Sequence, residues 1–171
     1  MKHRARLLQK RAIENDAVAL ATLREQPELR PLADAVLIAT LQRKHCLTAL
    51  AKQLGFTHWP HARAVLSGEA LATLEQKPDL GTLLHREQGG AYWNIWSASY
   101  EEASGIRAEH GGFLLPYKKQ FLIVEPDYLA ALGLDPSDPD WTAIGRNWPA
   151  PSDHAAWSRL TSRAIDARLD A

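Results

Sequence analysis

A chain of 171 residues, 46% of them apolar, is long enough to close its own hydrophobic core, which excludes wholesale disorder. It has no apolar run long enough to cross a bilayer, and its one cysteine, Cys46, permits no internal disulfide, so the expected compartment is the cytoplasm. The net charge of zero hides an asymmetry: residues 1–68 carry 11 Lys/Arg against 5 Asp/Glu (+6), and residues 69–171 carry 9 against 15 (−6). Halves of opposite sign suit packing on each other or in a dimer, and a basic half also suits an anion such as nucleic acid.

In chain order, Arg4 to Ile13 places leucines and alanines at helical spacing between basic residues and reads as a first helix. The basic N-terminus is followed by no uninterrupted apolar segment of the kind a secretory signal needs. Asp16 suits the cap of a second helix through Val18, Leu20 and Leu23, ended by Pro27. Pro31 suits the first turn of a third. Apolar positions then drift from Val36 to Leu54, with a break expected near Arg43-Lys44-His45. Gly55 is placed for the left-handed residue after a helix end, Phe56 for folding back, and Pro60 for the first turn of the next helix. A near-repeat relates residues 19–29 to residues 70–80, as two duplicated helix-turn units or as coincidence in an Ala/Leu-rich chain.

Composition changes at Gly89-Gly90. Ala91 to Trp96 is rich in β-favouring side chains, Tyr100 to His110 reads as a helix closed by Gly111-Gly112, and residues 113–124 read as a hairpin about Pro116-Tyr117-Lys118-Lys119. Asp127 is expected to cap a short helix ending at Gly133, Asp138-Pro139 to start another, and Ser152 to cap the last, with Trp157, Leu160, Ala164 and Ile165 facing a core. The fold class is α+β and mostly helical: N-terminal helical hairpins over residues 1–80, then a two- or three-stranded sheet flanked by helices over 81–171.

Leu50, Ala51, Gly55, Phe56, Trp59 and Pro60 form a pattern of the kind L-A-x-x-x-G-F-x-x-W-P. On these residues, and on Arg6-Leu7-Leu8 and residues 16–20, the N-terminal part resembles the helical module that precedes ankyrin repeats in many bacterial proteins. The resemblance covers about a third of the chain and implies a helical accessory module without catalytic residues; no T-P-L-H-x-A pattern follows it. The chain as a whole is similar to a group of proteobacterial proteins, which implies no activity.

Ala51-x-x-x-Gly55 also has the core spacing of a helix-turn-helix. A recognition helix beginning Trp59-Pro60 would offer only His61 and Arg63 outside its apolar face, too few side chains to read bases. His58 and His61 stand at a chelating spacing but lack further ligands in a known pattern, so no metal site is assigned. The candidate ligand-binding residues are Tyr92, Asn94, Trp96 and Tyr100, whose rings surround one amide, with His110, Tyr117 and Lys118. Here His110 would move protons and the glycines beside it would admit an anion. No G-x-x-x-x-G-K, G-x-S-x-G, H-E-x-x-H or C-x-x-C occurs, so catalytic residues are unassigned and no cofactor is expected.

The reading these residues favour is a non-enzymatic interaction or ligand-binding module, with a protein partner or self-association through aromatic surface. One alternative is a small enzyme or small-molecule binder built on the aromatic residues with His110, Tyr117 and Lys118. Another is nucleic-acid binding by the basic N-terminal helices.

Overall fold

The computed structural model describes residues 1–85 and 92–170. They form two compact units, Met1–Ala62 and Arg63–Ala171. The division falls within a helix rather than near residue 80, because residues 63–85 belong to the second unit: the amide of Leu80 donates to the Lys118 carbonyl, and that of Lys118 to the Gly81 carbonyl, each at 2.8 Å.

The first unit is helical: α1 (Lys2–Ile13), α2 (Ala17–Arg24), α3 (Asp34–Thr40), α4 (Arg43–Gln53) and the start of α5 (Trp59–Leu66). Asp16 caps α2 as expected, accepting from the Ala19 amide at 2.9 Å, and its other oxygen receives Arg11. Pro31 does not open α3. The chain turns through residues 27–32, Arg24 ties the turn by donating to the Leu32 carbonyl and pairing with Asp34, and the helix starts at Asp34. α3 and α4 break at Leu41-Gln42, just ahead of the basic trio. Gly55, at φ 83°, reverses the chain after α4, and the Phe56 amide donates to the Ala51 carbonyl at 2.9 Å. Any other residue would carry a strained Cβ there. Phe56 is buried in the core that Ala5, Ala12, Leu23, Leu37, Ala51 and Leu54 fill.

In the second unit Ala70–Gln76 is a 3-10 turn, whereas its sequence echo in α2 is an α-helix. Then follow β1 (Asn94–Ser97), α6 (Tyr100–His110), β2 (Phe113–Tyr117), β3 (Gln120–Val124), α7 (Pro126–Ala131), α8 (Pro139–Ala143) and α9 (His154–Leu169). The sheet is antiparallel in the order β1-β3-β2, with Trp96 opposite Leu122 and Leu115 opposite Leu122. The hairpin turn is narrower than the expected four residues: Tyr117 pairs with Gln120, leaving only Lys118 and Lys119 as the loop. Pro116 lies inside β2 opposite Phe121, a position whose backbone nitrogen faces away from β3, so the missing N–H breaks no ladder bond.

Two caps sit beside their expected positions. α9 is capped by Asp153 rather than Ser152, its carboxylate accepting from the amides of Ala155 and Ala156 at 2.8 and 3.0 Å. A charged acceptor suits the positive helix end better than a hydroxyl. α7 begins at Pro126 after Glu125, and Asp127 binds the Tyr128 amide from the first turn. The core stripe of α9 is buried, and Trp141 and Trp148 are the largest fully buried side chains. Among the described residues, no helix is long and apolar enough to cross a membrane.

Candidate functional site

The face of the sheet that carries Trp96 is set by register. Trp96, Leu122, Leu115 and, two residues further along β2, Tyr117 all project to the same side. Ile95, Ser97, Phe121, Ile123 and Leu114 project to the other, where α6 lies and Tyr100 packs edge-on against Phe121 at 5.6 Å.

On the first side the rings form a continuous cluster about His85. Its imidazole meets Tyr117 at 4.5 Å and Trp96 at 5.9 Å, both edge-on, and its Nδ1 lies 2.8 Å from the Tyr128 hydroxyl. Trp96 and Tyr117 meet at 5.2 Å and 89°, and Tyr92 meets Tyr128 at 5.9 Å. Two backbone bonds from residues 80–81 to Lys118 bring the His85 segment to the hairpin turn, and Arg168 of α9 donates to the His85 carbonyl at 3.1 Å. The Lys118 ammonium lies 5.3 Å above the Tyr117 ring. Rings with centroids 4.5–6 Å apart touch one another. The described cluster is thus a packed aromatic layer, and among the described residues the space available to a ligand is its outer surface.

That surface has an unusual edge. Trp93 and Trp96 are 55% and 43% exposed, the only large apolar side chains of the second unit among the described residues to be so. β1 is also an edge strand. Register turns the backbone N–H and C=O groups of Ile95 and Ser97 toward β3 and those of Asn94 and Trp96 outward. The outward groups bond to no described residue. The opposite edge is closed, since Leu114 of β2 donates to Arg146 at 2.8 Å and accepts from Trp148 at 3.1 Å.

Of the residues singled out by sequence, Tyr92, Trp96, Tyr117 and Lys118 come together here. Asn94 lies on the same strand, but its amide turns back to the Tyr92 carbonyl at 3.1 Å. Tyr100 is on the other face, accepting from Asn147 at 2.8 Å. His110 closes α6 on that same far side, exposed beside Glu109, at the end of β2 remote from Tyr117. Four residues of strand, about 13 Å, separate the two ends of β2. Ala91, proposed as the first residue of β1, lies outside the described residues. His85 and Tyr128 were missed: they stand 43 positions apart, and no local spacing links them.

Three histidines of the first unit, His45, His58 and His61, act as caps. His58 Nδ1 accepts from the His61 amide at 3.0 Å, and His61 Nδ1 accepts from the Thr57 amide at 3.2 Å, which opens α5. The same device opens α4, where Gln42 and His45 form a reciprocal capping box. Burial and Lys44 hold His45 below its ordinary pKa, keeping Nδ1 an acceptor. Burial pushes the Cys46 thiol up to about 11, so it is no nucleophile near neutrality.

No protein-family model matches the chain, and neither does any curated protein or solved structure.

Proposed function

We propose that this protein is a non-enzymatic interaction module that self-associates through the outer edge of β1. The observation that carries the reading is the coincidence of a strand edge whose outward backbone groups bond to no described residue with two exposed indoles, Trp96 on that strand and Trp93 just ahead of it. An edge strand presenting unpaired backbone groups is a template for another strand, and natural folds normally protect it with charge, proline or a covering element. Here the opposite edge is covered, whereas β1 carries neither a proline nor a charged side chain. Two copies related by a two-fold axis would pair β1 with β1 antiparallel and set the two Trp96 indoles on one face of the joined sheet, with a Trp93 flanking each strand. Trp96 already rests on Tyr117 and His85, which fixes its ring for contact at low entropic cost.

The test is light scattering coupled to size exclusion across a concentration series, with native mass spectrometry of the same samples. A dimer is expected that weakens at least tenfold in the Trp93→Ser/Trp96→Ser variant. Asn94→Pro is the sharper probe, since it keeps both indoles and the bonds to β3 while removing the outward backbone donor, and Asn94→Ala controls for the lost side-chain bond to the Tyr92 carbonyl. A monomer at every concentration, or a dimer indifferent to Asn94→Pro and to the double variant, overturns the reading.

A further inference from the structure

A second surface lies in the first unit and is independent of the β1 edge. α1 and α4 enclose an open depression of about 250 Å³ lined by Arg6, Gln9, Lys10, Ile13, Glu14 and Arg43. Half of these residues are cationic. Arg6 and Arg43 make no ion pair or side-chain hydrogen bond among the described residues, and Lys10 has only an exposed pair with Glu14 at 3.8 Å. Pairs of that kind are weak and readily exchanged for another anion. Lys2, Arg6 and Lys10 recur every four residues along α1, so they form a row of cations about 6 Å apart that ends at the depression.

The charges at the start of these helices run against their stability, although Lys10, in the last turn of α1, does not. α4 opens with Arg43, Lys44 and His45 and α1 with Lys2, His3 and Arg4, and neither has an acidic residue in its first turn. Cations at that end oppose the helix dipole, and an anion held at Arg43, the first residue of α4, gains from both that side chain and the dipole of α4. Exposed arginine forks and a linear row of ammonium and guanidinium groups suit phosphates set at regular intervals. We infer that the α1–α4 groove binds the phosphodiester backbone of a nucleic acid, without reading its sequence. α5 offers few polar groups to read base edges, and His61 among them is committed to capping.

The experiment is fluorescence anisotropy of the full chain with a labelled duplex of about 20 base pairs over a salt series. Three phosphate contacts by Arg6, Lys10 and Arg43 give a slope of log affinity on log salt near −2.7, about a 40-fold loss between roughly 50 and 200 mM. Arg6→Glu/Arg43→Glu, both exposed in the fold, is expected to abolish binding at low salt with an unchanged circular dichroism spectrum. A scrambled duplex should bind equally. No binding at low salt overturns the inference, as does binding that survives the double reversal. Equal competition by poly-glutamate at matched charge also overturns it, in favour of an acidic protein surface. None of these outcomes depends on whether β1 self-associates, because Trp93→Ser/Trp96→Ser should leave the affinity unchanged.

Discussion

Three glycines in and after α6 should answer the same substitution with different signs. Gly105 lies within the helix, and a methyl group added there meets no neighbour within 4 Å. Gly105→Ala should therefore stabilise by about 0.5–1 kcal/mol, mainly by restricting the unfolded chain. Gly111 has φ 82° and ψ −152°, a region nearly confined to glycine, but its Cβ would also find open space. Gly111→Ala thus isolates the backbone cost, about 1–3 kcal/mol. Gly112 has φ 80°, and its Cβ would lie 2.8 Å from the Val124 carbonyl oxygen and 3.2 Å from Ile123 Cγ2. The carbonyl cannot yield without disturbing the Phe113–Val124 pair that ends the ladder, so an overpacking cost of about 1–3 kcal/mol adds to a left-handed cost of about 1–2 kcal/mol. Urea melts followed by circular dichroism and tryptophan fluorescence read all three. With a slope near 2 kcal/mol per molar for urea, Gly112→Ala should lower the midpoint by about 1–2.5 M, and Gly105→Ala should raise it by a few tenths. A Gly112→Ala midpoint within about 0.2 M of the parent, or a destabilised Gly105→Ala, would refute the reasoning.

Other outcomes follow from particular contacts. The buried indole N–H of Trp148 donates to Thr161 at 3.2 Å, whereas that of Trp157 has no partner. Trp148→Phe should thus cost about 1–3 kcal/mol more than Trp157→Phe, as denaturant melts would record. Hydrogen bonds from Arg159 and Arg163 hold Asp140 at a pKa of about 2. Its folded pKa lies below its unfolded value, so the stabilisation is complete above pH 3.8 and is lost as pH falls toward 2. Asp140→Asn should flatten that part of the acid-denaturation curve. Arg43→Glu should stabilise the protein by about 0.3–1 kcal/mol by favouring the dipole of α4, while weakening nucleic-acid binding. Loss of binding with gain of melting temperature separates charge from unfolding.

The elements with local chemistry were legible in the sequence. Asp16, Gly55 and Asp138-Pro139 act through groups within five residues of themselves, and each performs the expected job. Ser152 and Asp153 both qualify as caps, and the choice between them rests on which oxygen reaches two amides. Pro31 suited a helix start, but Arg24 recruits Leu32 and Asp34 to prolong the turn, a contact no periodicity reveals. The aromatic layer was half legible. Tyr92 and Trp96 were visible as β-favouring rings and Tyr117 as a residue of the hairpin turn, while His85 and Tyr128, which complete the layer, are delivered only by the folded chain. Tyr100 and His110 separated from them because α6 packs on the opposite face of the sheet.

The strand order has a consequence for assembly. β2 and β3 are joined by two residues and can zip together at once. β1 pairs only with β3, so Asn94 must wait for Val124, with α6 folded in between. Loop closure delays such non-local pairing. A four-residue strand anchored along one side is also the part of a sheet expected to exchange its amide hydrogens soonest. The strand that presents Trp96 and follows directly on Trp93 is therefore expected to join the sheet last and to leave it first, and a second copy bound along its outer edge would complete the order that the chain alone holds most weakly.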